Sequence, residues 1–351
     1  MRKLKRKLWF DAHSRKILRD ITKNRHKSKS SIRSKTLSES YPERHIIDNK
    51  RCILTAPSIL SVFENTKATL AFFHVVIDTF QHCRINQEVF FDLHQVDCIT
   101  VDAVIYLIAL IKNTKKIRSF RIKCLGNMPD NAEARQLIEQ SGFYNHLHSV
   151  ASHKQLLYDK HNYLKITSGR DADGQLAGTI CDFTQSLING SLLTTKRLYP
   201  MVVELMTNTH QHAYTGESSI MNNFWYIFAQ NKDNKVQYVF LDTGLGIPKT
   251  ISKRIKEKIK DLFAVDDATY LQSVLRGDFR TETKQDNRGK GIPGIYEDVC
   301  KHVITDFQVV SGKGLCKVTP SGEIVKFKLE NSFEGTMFMW TIPKQEEDFI
   351  L

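Results

Sequence analysis

The run VQYVFLDTGLGIP, Val236 to Pro248, constrains this chain more than any other segment. Its first half is rich in β-branched and aromatic residues, the composition of a strand. Asp242 closes the strand, and Gly244 and Gly246 follow in the turn. A carboxylate at a strand end, beside backbone that glycine leaves open to close approach, is an acceptor facing something. It cannot favour phosphate, but it can accept a hydrogen bond from the exocyclic amine of adenine. A strand-to-helix turn with an N-capping Asp is the simpler alternative, and this run alone leaves both open.

Upstream, YPMVVELMTNTHQHA predicts a helix from Tyr199 to Ala213, with Pro200 placed where a helix can begin. Glu204, Asn208 and His212 follow one another at intervals of four, so they form one polar stripe on an apolar helix. A Glu there can deprotonate a water or hydroxyl, and an Asn amide oxygen is a hard ligand suited to Mg2+. His212 would approach a phosphate. A solvated helix face explains the same stripe. Downstream, NRGKGIPGI, Asn287 to Ile295, leads into the helix pattern YEDVCKHV. Gly289, Gly291 and Gly294, with Ile292 between, free backbone amides at a helix start, where amides cradle phosphates, and Lys290 adds positive charge. The later Gly312-Lys313-Gly314 reads as a hairpin turn. No GxxxxGK[ST] segment occurs, which excludes a Walker-type phosphate loop.

In this order the motifs resemble the GHKL superfamily (the Bergerat or HATPase_c fold), which includes DNA gyrase, mismatch-repair ATPases, sensor histidine kinases and anti-sigma-factor serine kinases. ELMTNTHQHAY is similar to the anti-sigma kinase version of the ExxxN helix, and VFLDTGLGIP to the adenine-binding DxGxG strand and turn. RGKGIPGI matches the second glycine motif, with Pro293 where many members carry another small or apolar residue. EGTMFMWTIP, Glu334 to Pro343, is like the closing Gly-Thr strand. The resemblance implies ATP as ligand and Mg2+ as cofactor. It makes Asp242 the partner of the adenine amine with Thr336 nearby, Asn208 the metal ligand and Glu204 the general base. Residues 289–294 would wrap the phosphates, and Ile247–Asn287, with the charged run KRIKEKIKD, would be the lid that closes over ATP.

The remaining sequence says how such a site is mounted. A chain of 351 residues with 41% apolar and 25% charged side chains has material for two globular domains. Residues 1–45 hold 15 Lys/Arg against 4 Asp/Glu, leaving 36 against 34 for all the rest. The basic character is therefore that of an N-terminal arm, flexible over the Ser/Lys-rich 23–45. Such an arm would touch nucleic acid, an anionic membrane face or an acidic partner, or simply stay solvated. Residues 46–150 predict a small, mostly parallel α/β unit: helix Ala68–Phe80, strand Glu88–Leu93, helix Val101–Ile111, strand Phe120–Leu125 and helix Asn131–Gln140. This order resembles a STAS domain, the fold of anti-anti-sigma factors, and AEARQLIEQSGFYNHL is like its closing helix. Where regulatory members carry a phosphorylatable Ser or Thr this chain has Asp102, and Thr100, the nearest hydroxyl, reads as an N-cap. Residues 151–175 read as a connector, and 176–345 as the ATP-binding domain.

The expected fold is thus α/β in two domains, a STAS-like domain followed by a Bergerat sandwich with a mixed sheet and helices on one face. The longest apolar run, Val101 to Ile111, is far short of a membrane span, and no signal-peptide core follows the basic start, so a cytoplasmic location is expected. The seven scattered cysteines read as reduced thiols. Residues 176–198 contain no His, which argues against a histidine kinase. Glu204 favours hydrolysis of ATP or phosphoryl transfer to a Ser/Thr hydroxyl over a non-catalytic ATP-sensing scaffold. A regulatory protein partner is expected, and homodimerisation by analogy with the superfamily.

Overall fold

The computed structural model describes residues 44–47, 51–114, 122–143, 158–159, 163–188, 192–211, 220–232, 235–250, 265–278 and 291–344, with backbone only at 44–47, 158–159, 192–196, 210–211 and 291. The basic arm, apart from its last two residues, lies outside the described residues. The protein is α/β. In its first part β1 (Arg44–Ile47), β2 (Arg51–Thr55), β4 (Glu88–Asp92) and β6 (Lys123–Gly126) form a sheet in that order. β2, β4 and β6 are parallel and β1 is antiparallel at the edge. A second, two-stranded sheet joins β3 (Ile59–Leu60) to β5 (Cys98–Ile99).

Helix α1 (Thr66–His82) turns Leu70, Phe73, Val76, Ile77 and Phe80 inward at helical spacing. α2 (Val101–Asn113) has no polar face: Val101 through Leu110 are all buried. α3 (Ala132–Gln140) is capped by Asn131, whose side chain accepts from the N–H groups of Glu133 and Ala134.

In the second part the strands β7 (Tyr158–Asp159), β8 (Tyr163–Gly169), β9 (Trp225–Lys232), β10 (Lys235–Asp242), β11 (Thr305–Val318) and β12 (Ile324–Pro343) form one sheet, ordered β11-β12-β10-β9-β8-β7. Residues 163–169, expected within a connector, therefore supply a strand of this sheet. The expectation of a mixed sheet here gives way to antiparallel pairing at every described neighbour. The short links joining β7 to β8, β9 to β10 and β11 to β12 admit only antiparallel pairing. Gly312 and Gly314 do not make a hairpin turn; they lie inside β11 at register shifts, and the turn comes at 319–323. A Cβ at Gly314 would come within 2.6 Å of the Ala268 nitrogen, so glycine there lets the next helix seat on the strand.

One face of the large sheet carries α4 (Gly174–Ile188), α5 (Leu192–Gln211), α7 (Asp267–Arg276) and α8 (Gly291–Cys300); α6 (Ile247–Thr250) is a single turn. Helix α5 corrects a sequence expectation. It starts well before Pro200, which sits inside it. Proline removes one ladder hydrogen bond there, and the helix runs through because Leu198, Met201, Val202, Leu205 and Met206 are buried on both sides of that break.

The opposite face of the large sheet is covered by the first part of the chain. α1 packs on β12, and α2 on β9 and β10. Tyr226, Phe228, Val239, Leu241, Val310 and Met337 belong to the same apolar cluster as α1, α2 and the small sheet. The order of layers is small sheet, α1 and α2, large sheet, then α4, α5, α7 and α8. The two units thus share a core.

A shared core should unfold as a unit. Ile108→Ala, in α2, is expected to cost about 2–5 kcal/mol. In urea, tryptophan fluorescence and helical circular dichroism should be lost together; separate midpoints would show that the units fold independently.

Candidate functional site

A row of residues crosses the large sheet where β10 ends. Ser311 on β11 lies opposite Thr336 on β12, Thr336 opposite Asp242 on β10, Asp242 opposite Trp225 on β9, and Trp225 opposite Gly169 on β8. Side chains alternate along a strand. This row therefore shares its face with Phe240, Phe338, Ile227 and Val309, which pack beneath the helices of the second part. Asp242 and Thr336, predicted from separate motifs, become direct cross-strand neighbours.

The turn after Asp242 is tightly tied. Gly244 N–H donates to Asp242 Oδ1 at 2.8 Å. Thr243 is fully buried, its N–H donates to the Phe224 carbonyl at 2.9 Å, and its hydroxyl donates to the Asn222 carbonyl at 2.7 Å. Gly246 has φ +84°, and a Cβ there would come within 2.7 Å of both the Gly335 carbonyl and Ser311 Oγ. Gly335, with φ +99°, has its Cβ position blocked by the Asp242 carbonyl. Both glycines are thus required by backbone sign and by close approach. Ser311 Oγ donates to the Gly335 carbonyl at 2.7 Å, and Ile247 N–H donates to Ser311 Oγ at 3.0 Å and Thr336 Oγ1 at 3.2 Å. Strand end, turn and β12 thereby form one hydrogen-bonded unit.

Helix α5 lies against this row. Thr209, buried, hydrogen-bonds the Asp242 carboxylate through its side chain. Glu204 and Asn208, on the same helix, are half-buried. Desolvation pushes the Asp242 carboxyl up to about 6, opposed by the hydrogen bonds from Gly244 and Thr209. The residue nevertheless keeps intermediate exposure. A desolvated carboxylate on a residue that keeps some exposure is a candidate functional group.

Of the other expected site residues, His212, Gly289 and Lys290 lie outside the described residues. Gly291 opens α8, and Ile292 and Gly294 are half-buried in its first turn. A Cβ at Gly294 would meet nothing within 4 Å. The lid expectation is narrowed: within 247–287, residues 267–276 form α7, whose Leu271 and Leu275 are core residues, while 251–264 and 279–290 lie outside the described residues. Asp102 is 2% exposed and accepts from Val62 N–H at 2.6 Å, so it is sealed inside the small unit. Burial raises its carboxyl above the usual range.

Sequence reasoning missed Thr209 and Ser311. Thr209 had a signal, a hydroxyl on the buried side of the polar-striped helix. Ser311 had none, because only strand register brings it to Thr336. Compared with known proteins, the chain matches no family model and no curated sequence.

The Asp242 shift has a stability consequence with a definite sign. Its folded pKa, about 6, lies above the unfolded value of about 3.9. The folded state therefore binds more protons between these values, and stability falls as pH rises through that window. Asp242→Asn should relieve this cost, stabilising the protein at pH 7.5 by on the order of 1–2 kcal/mol after allowance for retained solvent contact. The gain should vanish below about pH 4. Urea midpoints of both proteins across pH check this; a gain of equal size at every pH would contradict the assignment.

Proposed function

We propose that this protein is an Mg-ATP-binding regulatory protein of the GHKL type, with a STAS-like first part and a Bergerat-type second part, which hydrolyses ATP or uses it to control partner binding. The observation that carries this reading is the Asp242–Thr336 cross-strand pair, set on the sheet face beneath the helix that bears Glu204 and Asn208. Motifs far apart in sequence converge there, and Thr209 of that helix touches Asp242.

In this reading the ionised Asp242 accepts the adenine amine, with Thr336 beside it. Trp225 and the bonded turn keep the acceptor in place. Glu204 takes a proton from the attacking water or hydroxyl. The amides of 289–294, with Lys290 and His212, take the phosphates. Among the described residues no group of three or more His, Cys, Asp or Glu is arranged to hold a metal ion. A carboxamide from Asn208 together with nucleotide phosphates fits Mg2+, which keeps few protein ligands. Bound there, the ion would screen phosphate charge. In a serine/threonine kinase reading the acceptor hydroxyl would come from a separate partner, Asp102 being buried in the first part of the chain.

The test is γ-labelled ATP with Mg2+, wild type against Glu204→Ala. Free phosphate from wild type, lowered about 10²-fold or more in the variant, is the expected result. Label on a Ser or Thr of a partner would instead make it a kinase, and tight binding with no turnover in either protein a sensor. No nucleotide binding by wild type would end the proposal.

A further inference from the structure

The last turns of β12 before Thr336 contain an irregularity that the first part of the chain appropriates. Ser311 pairs with Thr336, but the next residue, Gly312, pairs with Phe333, so one step on β11 spans three on β12. Glu334 and Gly335 form the resulting bulge, and a bulge leaves main-chain groups without ladder partners while re-aiming the side chain that follows. Both main-chain groups of Glu334 find the same partner. Its N–H donates to the Tyr106 hydroxyl at 3.0 Å, and that hydroxyl donates to its carbonyl at 3.3 Å. Tyr106 comes from α2, is 1% exposed, and stacks on Phe333 with ring centroids 4.2 Å apart. Burial, reinforced by the Glu334 charge, pushes its phenol upward, so it stays a neutral donor.

The far end of α2 grips the other flank of the same turn. Asn113 accepts from Asn222 N–H at 2.9 Å and donates from its side chain to Tyr226 Oη at 2.8 Å. The Asn222 carbonyl in turn accepts from Thr243, the residue after Asp242. One helix therefore holds the neighbours of Asp242 and those of Thr336 together.

We infer that Tyr106 is a positioning residue of the nucleotide site: through Glu334 it sets the bulge that aims Thr336 at the adenine edge, so the first part of the chain is a structural component of that site. This rests on the ATP reading above. The consequence is specific to base recognition, because phosphates are bound elsewhere in the site.

The experiment measures ATP and GTP affinity calorimetrically, and amide exchange at Glu334 without nucleotide, in wild type, Tyr106→Phe and Phe333→Leu of the full chain. Tyr106→Phe keeps the ring and loses the hydroxyl. It is expected to weaken ATP binding about three- to tenfold, leave GTP binding unchanged and speed exchange at Glu334. Phe333→Leu loses ring stacking and keeps the hydroxyl, so it should lower thermal stability with the ATP/GTP ratio intact. An unchanged ratio in Tyr106→Phe, or equal loss of ATP and GTP affinity, overturns the inference while leaving the ATP reading standing. So does an equal shift of the ratio in Phe333→Leu. Wild type that binds neither nucleotide overturns both.

Discussion

A helix with no polar face has to be covered on every side, and α2 imposes that requirement on the whole molecule. Val101 through Leu110 are buried without interruption, among them the large side chain of Tyr106. One flat sheet covers only one side of a helix. The small mixed sheet shares an apolar cluster with α2, and the face of the large antiparallel sheet packs against that helix. The two parts of the chain are therefore halves of one apolar structure, and Tyr106 and Asn113 of α2 reach Glu334 and Asn222, on strands and links beside the turn that follows Asp242.

The strand-end row shows a second kind of compromise. Asp242 sits where burial disfavours its charge, and two hydrogen bonds recover part of the cost. Around it the polar groups are closely satisfied: Thr243 fills its hydroxyl against 222–224, Ser311 bridges Ile247 and Gly335, and glycine occurs where φ is positive and backbones touch. Stability is thus given up at one carboxylate and recovered in the hydrogen-bonded frame around it.

Much of the local structure was legible in the residues. The strand of VQYVFLD, the glycine turn and the helices expected at 68–80 and 131–140, found at 66–82 and 132–140, follow from periodicity and turn chemistry, which act over a few residues. The misreadings have one source. Pro200 as a helix start and Gly312–Gly314 as a hairpin are sound local readings overruled by distant partners, the buried face of α5 in one case and the seat of α7 on β11 in the other. The strand at 163–169 hid in a stretch that looks like a connector because its partner, β9, is some sixty residues away.

By itself the sequence determined many of the elements, the apolar run that became a buried helix, and the identities of Glu204, Asn208, Asp242 and Thr336 as a polar set spread across three segments. Tertiary structure alone decided that Asp242 faces Thr336, that Thr209 reaches the carboxylate, and that Tyr106 closes the bulge beside it. The physical reason is range: capping, turn chemistry and side-chain periodicity are encoded within about ten residues, whereas register and the burial of a helix on both sides depend on surfaces that exist only once the chain has folded.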